Sequence, residues 1–258
     1  VEKIRTLLDD NAQFWTPYGA TECLPVAVIE GRELQGTRAA TEAGAGTCVG
    51  RPVAPNQVRI IAIDDAPIAH WSAVVELPAG EVGEITVAGP TTTDSYFNRE
   101  AATIAAKIVE VRADGGEQVV HRMGDVGYFD AEGRLWFCGR KTQRVQAADR
   151  ALYTEQVEPV FNAHPQVRRT ALVGVGVPGA QRPVLCVELA AGVDAGQFQR
   201  IQGELRTLAA AHAHTAPVAT FLRHPGFPVD IRHNAKIGRE KLAAWAGAAL
   251  SAGSGGAA

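Results

Sequence analysis

The chain lacks any apolar run approaching the roughly 20 residues of a membrane span, and nothing at its start reads as a secretory leader. It also lacks a Cys-x-x-Cys pair. Cys23, Cys48, Cys138 and Cys186 are scattered, which argues against a disulfide framework or a thiolate zinc site and for buried free thiols in a cytoplasmic protein. Charge of one sign is missing too: the formal net charge is −3, no electrostatic footprint for nucleic acid or an anionic membrane. Lysine is scarce, with only Lys3, Lys107, Lys141, Lys236 and Lys241 against abundant arginine, an imbalance that reads as genomic base composition. There is no Gly-x-Ser-x-Gly elbow of a serine hydrolase. Gly44-Ala45-Gly46 has no strand-then-helix context and reads as a flexible turn rather than a phosphate cradle. His212 and His214 stand two apart in an alanine-rich segment, where a helix would point them to different faces, so no metal site is expected.

At 258 residues the chain is long enough for two domains. Runs rich in β-branched residues, Gln57 to Ile63 and Glu84 to Val87, predict strands. Ala131-Glu132-Gly133, between Tyr128–Asp130 and Arg134–Phe137, predicts a hairpin with Gly133 at positive φ. Together these mark a β-rich portion ending near Arg140, with a helical insert from Arg99 to Val111 on its edge. Beyond Lys141 the pattern changes. Thr154 is placed to N-cap a helix carrying Val157, Val160 and Phe161, and Pro159 limits its extent. Strands follow at Thr170 to Val175 and Val184 to Leu189. Phe198, Ile201, Leu205 and Leu208 recur at helical spacing and form one buried stripe. A last helix begins near Gly238 and carries Leu242 and Trp245. The Ser/Gly/Ala run 251–258 predicts a disordered tail.

Three motifs then stand in order: Tyr18-Gly19-Ala20-Thr21-Glu22; Gly124-Asp125-Val126-Gly127-Tyr128-Phe129-Asp130, running on to Gly139-Arg140; and Asn234-Ala235-Lys236-Ile237-Gly238-Arg239. Taken singly, the first reads as a surface turn, Asp125 as a turn aspartate and Arg140 as a solvated arginine. Together their order and spacing resemble the adenylate-forming enzymes: acyl-CoA synthetases, luciferases and the adenylation domains of peptide synthetases. The resemblance covers nearly the whole chain and implies an α+β fold. Residues 1–141 would be the C-terminal part of the AMP-binding large domain, 142–250 a mobile C-terminal lid domain, and 251–258 the tail. It implies that the chain corresponds to the C-terminal half of such an enzyme, with the phosphate loop and acyl pocket upstream.

The resemblance also implies roles. A carboxylate and ATP repel each other, so their meeting needs cations and positioned donors. Glu22 would hold Mg²⁺, which commonly takes one or two carboxylates plus substrate oxygens. Thr21 would offer its hydroxyl to a phosphate oxygen and Tyr18 a flat face to adenine, while Gly19 lets the backbone approach closely. Asp125 would accept from the ribose hydroxyls, and Arg140 would reach ribose and phosphate. Thr142 falls at the hinge about which the lid turns. Lys236 would be the adenylation catalyst; Lys241, the competing lysine, reads as a solvated helix residue. ATP and Mg²⁺ are the implied cofactors.

What attacks the adenylate is a separate question. Thioester-forming relatives carry a glycine in the loop after the hinge, and here Asp149 replaces it, which argues against coenzyme A. A closer resemblance lies in Thr16 to Val26, Met123 to Tyr128 and Arg134 to Lys141, which are similar to the β-lactone synthetases of bacterial olefin biosynthesis. Those enzymes adenylate a long-chain 2-alkyl-3-hydroxy acid, and its own hydroxyl then closes the lactone and expels AMP. The resemblance implies a long-chain β-hydroxy acid substrate and assembly with a thiolase, a dehydrogenase and a β-lactone decarboxylase. His233, beside the Lys236 loop, is a candidate base for that hydroxyl, although a structural or solvent-facing histidine is the plainer reading. Two alternatives stay open: a long-chain fatty acyl-CoA ligase and a non-catalytic nucleotide-binding module.

Overall fold

Successive residues of a strand face opposite sides of a sheet, and the apolar residues of the first half follow that rule. Ile60 joins Ile85, Val87, Met123 and Leu135 in one buried cluster, whereas its neighbour Ile61 joins Ala88, Ile108 and Val120 in another. Fully burying one such side chain contributes about 1.5–3 kcal/mol, so a sheet covered on both faces is the stable solution. The computed structural model describes residues 4, 6–230 and 233–254. It divides into two compact units, Val1–Ala39 with Gly46–Lys141, and Ala40–Ala45 with Thr142–Ala258.

The first unit contains, in chain order, β1 (Trp15–Ala20), β2 (Cys23–Glu30), α1 (Gly31–Gly36), the start of α2 (Arg38–Glu42), β3 (Thr47–Pro52), β4 (Gln57–Ile61), β5 (Gly83–Ala88), α3 (Glu100–Ala106), β6 (Lys107–Val111), β7 (Glu117–Phe129) and β8 (Leu135–Arg140). The strands form one antiparallel sheet in the order β1-β2-β3-β8-β7-β5-β4, with β6 pairing the first half of β7. The β7–β8 hairpin forms as expected. Gly133 takes φ 74°, and Asp130 Oδ1 accepts the Glu132 and Arg134 amides at 3.0 and 2.8 Å.

The expected helix from Arg99 to Val111 is only half right. It ends at Ala106, and Lys107–Val111 is a strand. Ile108, Val109 and Val111 are β-branched, and β7 is long enough to leave them an open edge. The sequence reading also missed β1 and β2, because β1 carries no clean alternation of apolar and polar residues.

The second unit contains β9 (Val145–Gln146), β10 (Ala151–Leu152), α4 (Thr154–Asn162), β11 (Val167–Val175), β12 (Arg182–Leu189), α5 (Phe198–Ala210), β13 (Thr220–Arg223), β14 (Val229–Asp230), β15 (His233–Ile237) and α6 (Arg239–Ser254). Its three-stranded sheet runs β11-β12-β13, antiparallel then parallel. Alternation again sorts the core. Leu172, Leu185, Val187 and Phe221 pack with Val157, Phe161, Ile201 and Leu205 of α4 and α5. Ala171, Val173, Val184 and Cys186 pack with Leu242 and Ala246 of α6.

Two expectations need correction here. Tyr153, not Thr154, takes the cap position of α4, without a side-chain bond, and Thr154 is the first helical residue. Pro159 lies inside α4, which ends three residues later. Helix α6 continues through Ser251 to Ser254, so the tail was drawn too long: packing of Leu242 and Ala246 carries the helix through a composition that would not hold one alone. Residues 255–258 lie outside the described residues.

Candidate active site

Tyr18 to Glu22 sit at the tip of the β1–β2 hairpin, where the register shifts between Tyr18 and Ala20. The shift explains Gly19. A Cβ there would lie 2.5 Å from the Cys23 carbonyl oxygen and 2.8 Å from a Leu24 methyl, so the close approach that this glycine permits is to the hairpin itself. Tyr18 was expected to present its ring to a base. Its hydroxyl donates to Asp125 Oδ2 at 2.7 Å and its ring packs 5.9 Å from that of Phe137. Thr21 is exposed, and Glu22, beside it, faces a cleft of about 440 Å³.

Asp125 owes its place to a bulge in β7. Between the pairs Glu84↔Val126 and Thr86↔Arg122, β5 has only Ile85 while β7 has Met123, Gly124 and Asp125. Gly124 absorbs the excursion at φ 65°, and such bulges re-aim side chains beside sites. Asp125 then lies across from Arg140 on β8. Arg140 Nη1 stands 2.8 Å from Asp125 Oδ1 as an ion pair, and no hydrogen-bond donor is aligned on that oxygen. Burial raises the Asp125 pKa, with the Arg140 cation and the Tyr18 hydroxyl opposing. Arg140 itself is half exposed and lines the same cleft as Glu22.

Several cleft residues were not anticipated from the sequence. Tyr96 donates its hydroxyl to Glu22 Oε1 at 2.8 Å. Burial opposes ionisation of Glu22, but the Tyr96 bond, a backbone amide and the charges of His121 and Lys107 outweigh it and hold the carboxyl below its usual pKa. His121, 2% exposed, is pushed down to about 4, mainly by burial and then by Lys107. Deeper still, Glu84 accepts from Arg122 at 2.6 Å and from Lys141 at 3.1 Å. Arg122 also donates to the carbonyls of Asp64 and Ala66. None of these residues stands in a local pattern that marks it as functional; only the sheet brings them together.

No protein-family model matches the chain. Over 246 residues it is 75% identical to the olefin β-lactone synthetase of Xanthomonas campestris pv. campestris, covering 95% of this chain and 44% of that protein. The chain thus spans less than half the length of that relative. Its fold is similar to the amide bond synthetase McbA from Marinactinospora thermotolerans (TM-score 0.67, 26% identity, 90% of this chain and 42% of that one). It is similar as well to the o-succinylbenzoate CoA synthetase of Bacillus subtilis, solved with ATP and a magnesium ion (TM-score 0.63, 24% identity, 93% and 43%). The chain belongs to the adenylate-forming family.

In this member of the adenylate-forming family, the second unit carries the remaining motif residues. Thr142 lies in the single helical turn Lys141–Gln143 between β8 and β9. Lys236 is exposed on β15 and lines a cleft of about 550 Å³ with Arg144, Gln181, Asp230 and Lys241. Lys241 lies on α6, as expected. Just beyond Lys236, Arg239 donates to Glu158 Oε2 at 2.9 Å and to the Leu172 carbonyl at 3.2 Å, which ties the strand that bears the lysine to α4 and β11. Asp149 is exposed between β9 and β10 and pairs with Arg150 at 2.8 Å. The side chain of His233 lies outside the described residues. His212 and His214 follow the end of α5 rather than lying within a helix, and their rings approach to 5.4 Å. Even so, no three His, Cys, Asp or Glu side chains cluster as a metal site among the described residues. Nor is any described helix long and apolar enough to cross a membrane.

Proposed function

We propose that the full-length protein activates a long-chain 2-alkyl-3-hydroxy acid with ATP and converts it to a β-lactone, AMP and pyrophosphate. The observation that carries the nucleotide half of this reading is the Tyr18–Asp125–Arg140 constellation beside the cleft of Glu22. A carboxylate has acceptors only and so suits the paired hydroxyls of a ribose, and the half-exposed Arg140 guanidinium paired with it at the cleft suits phosphate. The 75% identity with an olefin β-lactone synthetase supports the choice of acid and product.

Mg²⁺ fits the residues present. Glu22 is a single carboxylate facing a polar cleft, and a magnesium ion takes its other ligands from water and phosphate oxygens. When bound it would neutralise phosphate charge. The chain's own residues then act as follows. Asp125 and Arg140 orient the nucleotide, Glu22 holds the cation, and Lys236 offsets negative charge developing at the α-phosphorus as the carboxylate attacks and pyrophosphate leaves. In the second step the substrate's 3-hydroxyl oxygen bonds to the activated carbonyl carbon, AMP departs with the electron pair, and the hydroxyl proton passes to a base. Closure within one molecule has a high effective concentration. Rotation of 142–250 about Thr142 as a lid belongs to the same proposal.

The test is product analysis of the full-length protein with the acid, ATP and Mg²⁺, with and without coenzyme A. Lactone and AMP forming at the same rate without the thiol supports the reading; a product that requires coenzyme A replaces it with an acyl-CoA ligase. Asp149, charged and exposed where thioester-forming relatives carry glycine, favours the first outcome.

A further inference from the structure

Glu22 is gripped at two points by one short segment far along the chain. The Thr93 amide donates to the Glu22 carbonyl oxygen at 2.9 Å, and the Tyr96 hydroxyl donates to Glu22 Oε1 at 2.8 Å. The segment is itself anchored. The Tyr96 amide donates to Thr103 Oγ1 of α3 at 3.0 Å. Lys107, 7% exposed at the start of β6, donates its ammonium to the Thr93 carbonyl and to Thr93 Oγ1, and stands 5.8 Å from the Tyr96 ring centroid. The α3–β6 excursion, which reads in the sequence as an edge insert, therefore ends on the backbone and the side chain of one carboxylate.

We propose that Tyr96 is a positioning residue for Glu22, with Lys107 securing the Thr93–Tyr96 segment, so that the carboxylate is held in the one rotamer that faces the cleft and the cation of MgATP. This rests on the reading of Glu22 as the metal ligand. The physical reason is preorganisation. An unsupported glutamate samples several rotamers, and ordering it on binding costs affinity. Partners that orient a ligating carboxylate are typically worth about 10–100-fold in metal affinity.

The experiment measures ATP binding calorimetrically in the full-length protein carrying Lys236→Ala, to suppress turnover, with MgCl₂ and with EDTA. Tyr96→Phe is expected to reduce the magnesium-dependent gain in ATP affinity by about tenfold or more while leaving metal-free ATP binding unchanged. Lys107→Met is expected to shift it in the same direction by less. In the protein with Lys236 intact, raising Mg²⁺ should restore the pyrophosphate-exchange rate of Tyr96→Phe. A purely structural tyrosine would instead weaken ATP binding equally with and without metal, and that result would overturn the proposal. So would an unchanged magnesium dependence in Tyr96→Phe when Glu22→Gln abolishes it. If Glu22→Gln also leaves the dependence intact, the assignment of Glu22 fails first and the role of Tyr96 falls with it.

Discussion

Burial makes Asp125 hold its proton more tightly than a free aspartate, and Arg140 and Tyr18 offset that only in part. Its folded pKa lies above the unfolded one, so the ionised carboxylate costs the fold stability that is lost as pH rises through the raised pKa. Asp125→Asn is therefore expected to melt no lower than the parent at pH 7, with the difference shrinking in acid, while ATP affinity falls by about 10-fold or more, the scale of a hydrogen bond to a charged group. Thermal melts and calorimetry check the two halves. His121 titrates in the opposite sense. Its folded pKa of about 4 lies below the ordinary 6.5, so the unfolded chain binds the proton first and stability falls as pH drops from 6.5 toward 4. The contribution is about 2 kcal/mol between pH 7 and pH 5, and His121→Gln should remove that part of the acid sensitivity of urea unfolding. Neither shift was legible in the sequence, where His121 is one of seven scattered histidines. Burial does the work, and burial is a property of the folded sheet.

Among elements, the β7–β8 hairpin was readable because its turn demands a residue at positive φ, and Gly133 supplies it. The bulge at Met123–Asp125 was not, since a strand's sequence does not say how many residues its partner will set opposite it. The halves of the α3–β6 segment were confused for a related reason: Ala and Glu favour a helix, and only the open edge of β7 recruits Lys107–Val111 as a strand. At the other end of the chain, Arg239 and Glu158 join α6 to α4 with side-chain exposures of 14% and 8%. Burial pushes the Glu158 carboxyl up and Arg239 opposes it. Arg239→Ala strands that carboxylate, and removing one partner of a buried pair costs about 3–5 kcal/mol. Denaturant unfolding followed by Trp245 fluorescence should show the loss, and replacing both partners with apolar residues, Glu158→Leu with Arg239→Met, should recover most of it.

For the whole molecule, the decisive residue of the proposed chemistry is an exposed one. Lys236 stands on the surface of its unit, so Lys236→Ala is expected to leave the melting temperature unchanged. The same variant should cut pyrophosphate exchange about 10²–10³-fold, the cost of removing one key electrostatic donor. Exchange near the parent rate would remove Lys236 from the mechanism. The sequence by itself determined the order of the motifs, the α+β pattern and the placing of an aspartate, an arginine and two further charged groups at set intervals, because turn chemistry and periodicity act over a few residues. Only the tertiary structure decided that Tyr18 would spend its hydroxyl on Asp125, 107 residues away, and that Tyr96 would reach Glu22 across 74. Such bonds depend on sheet register and burial, which no local run of residues contains.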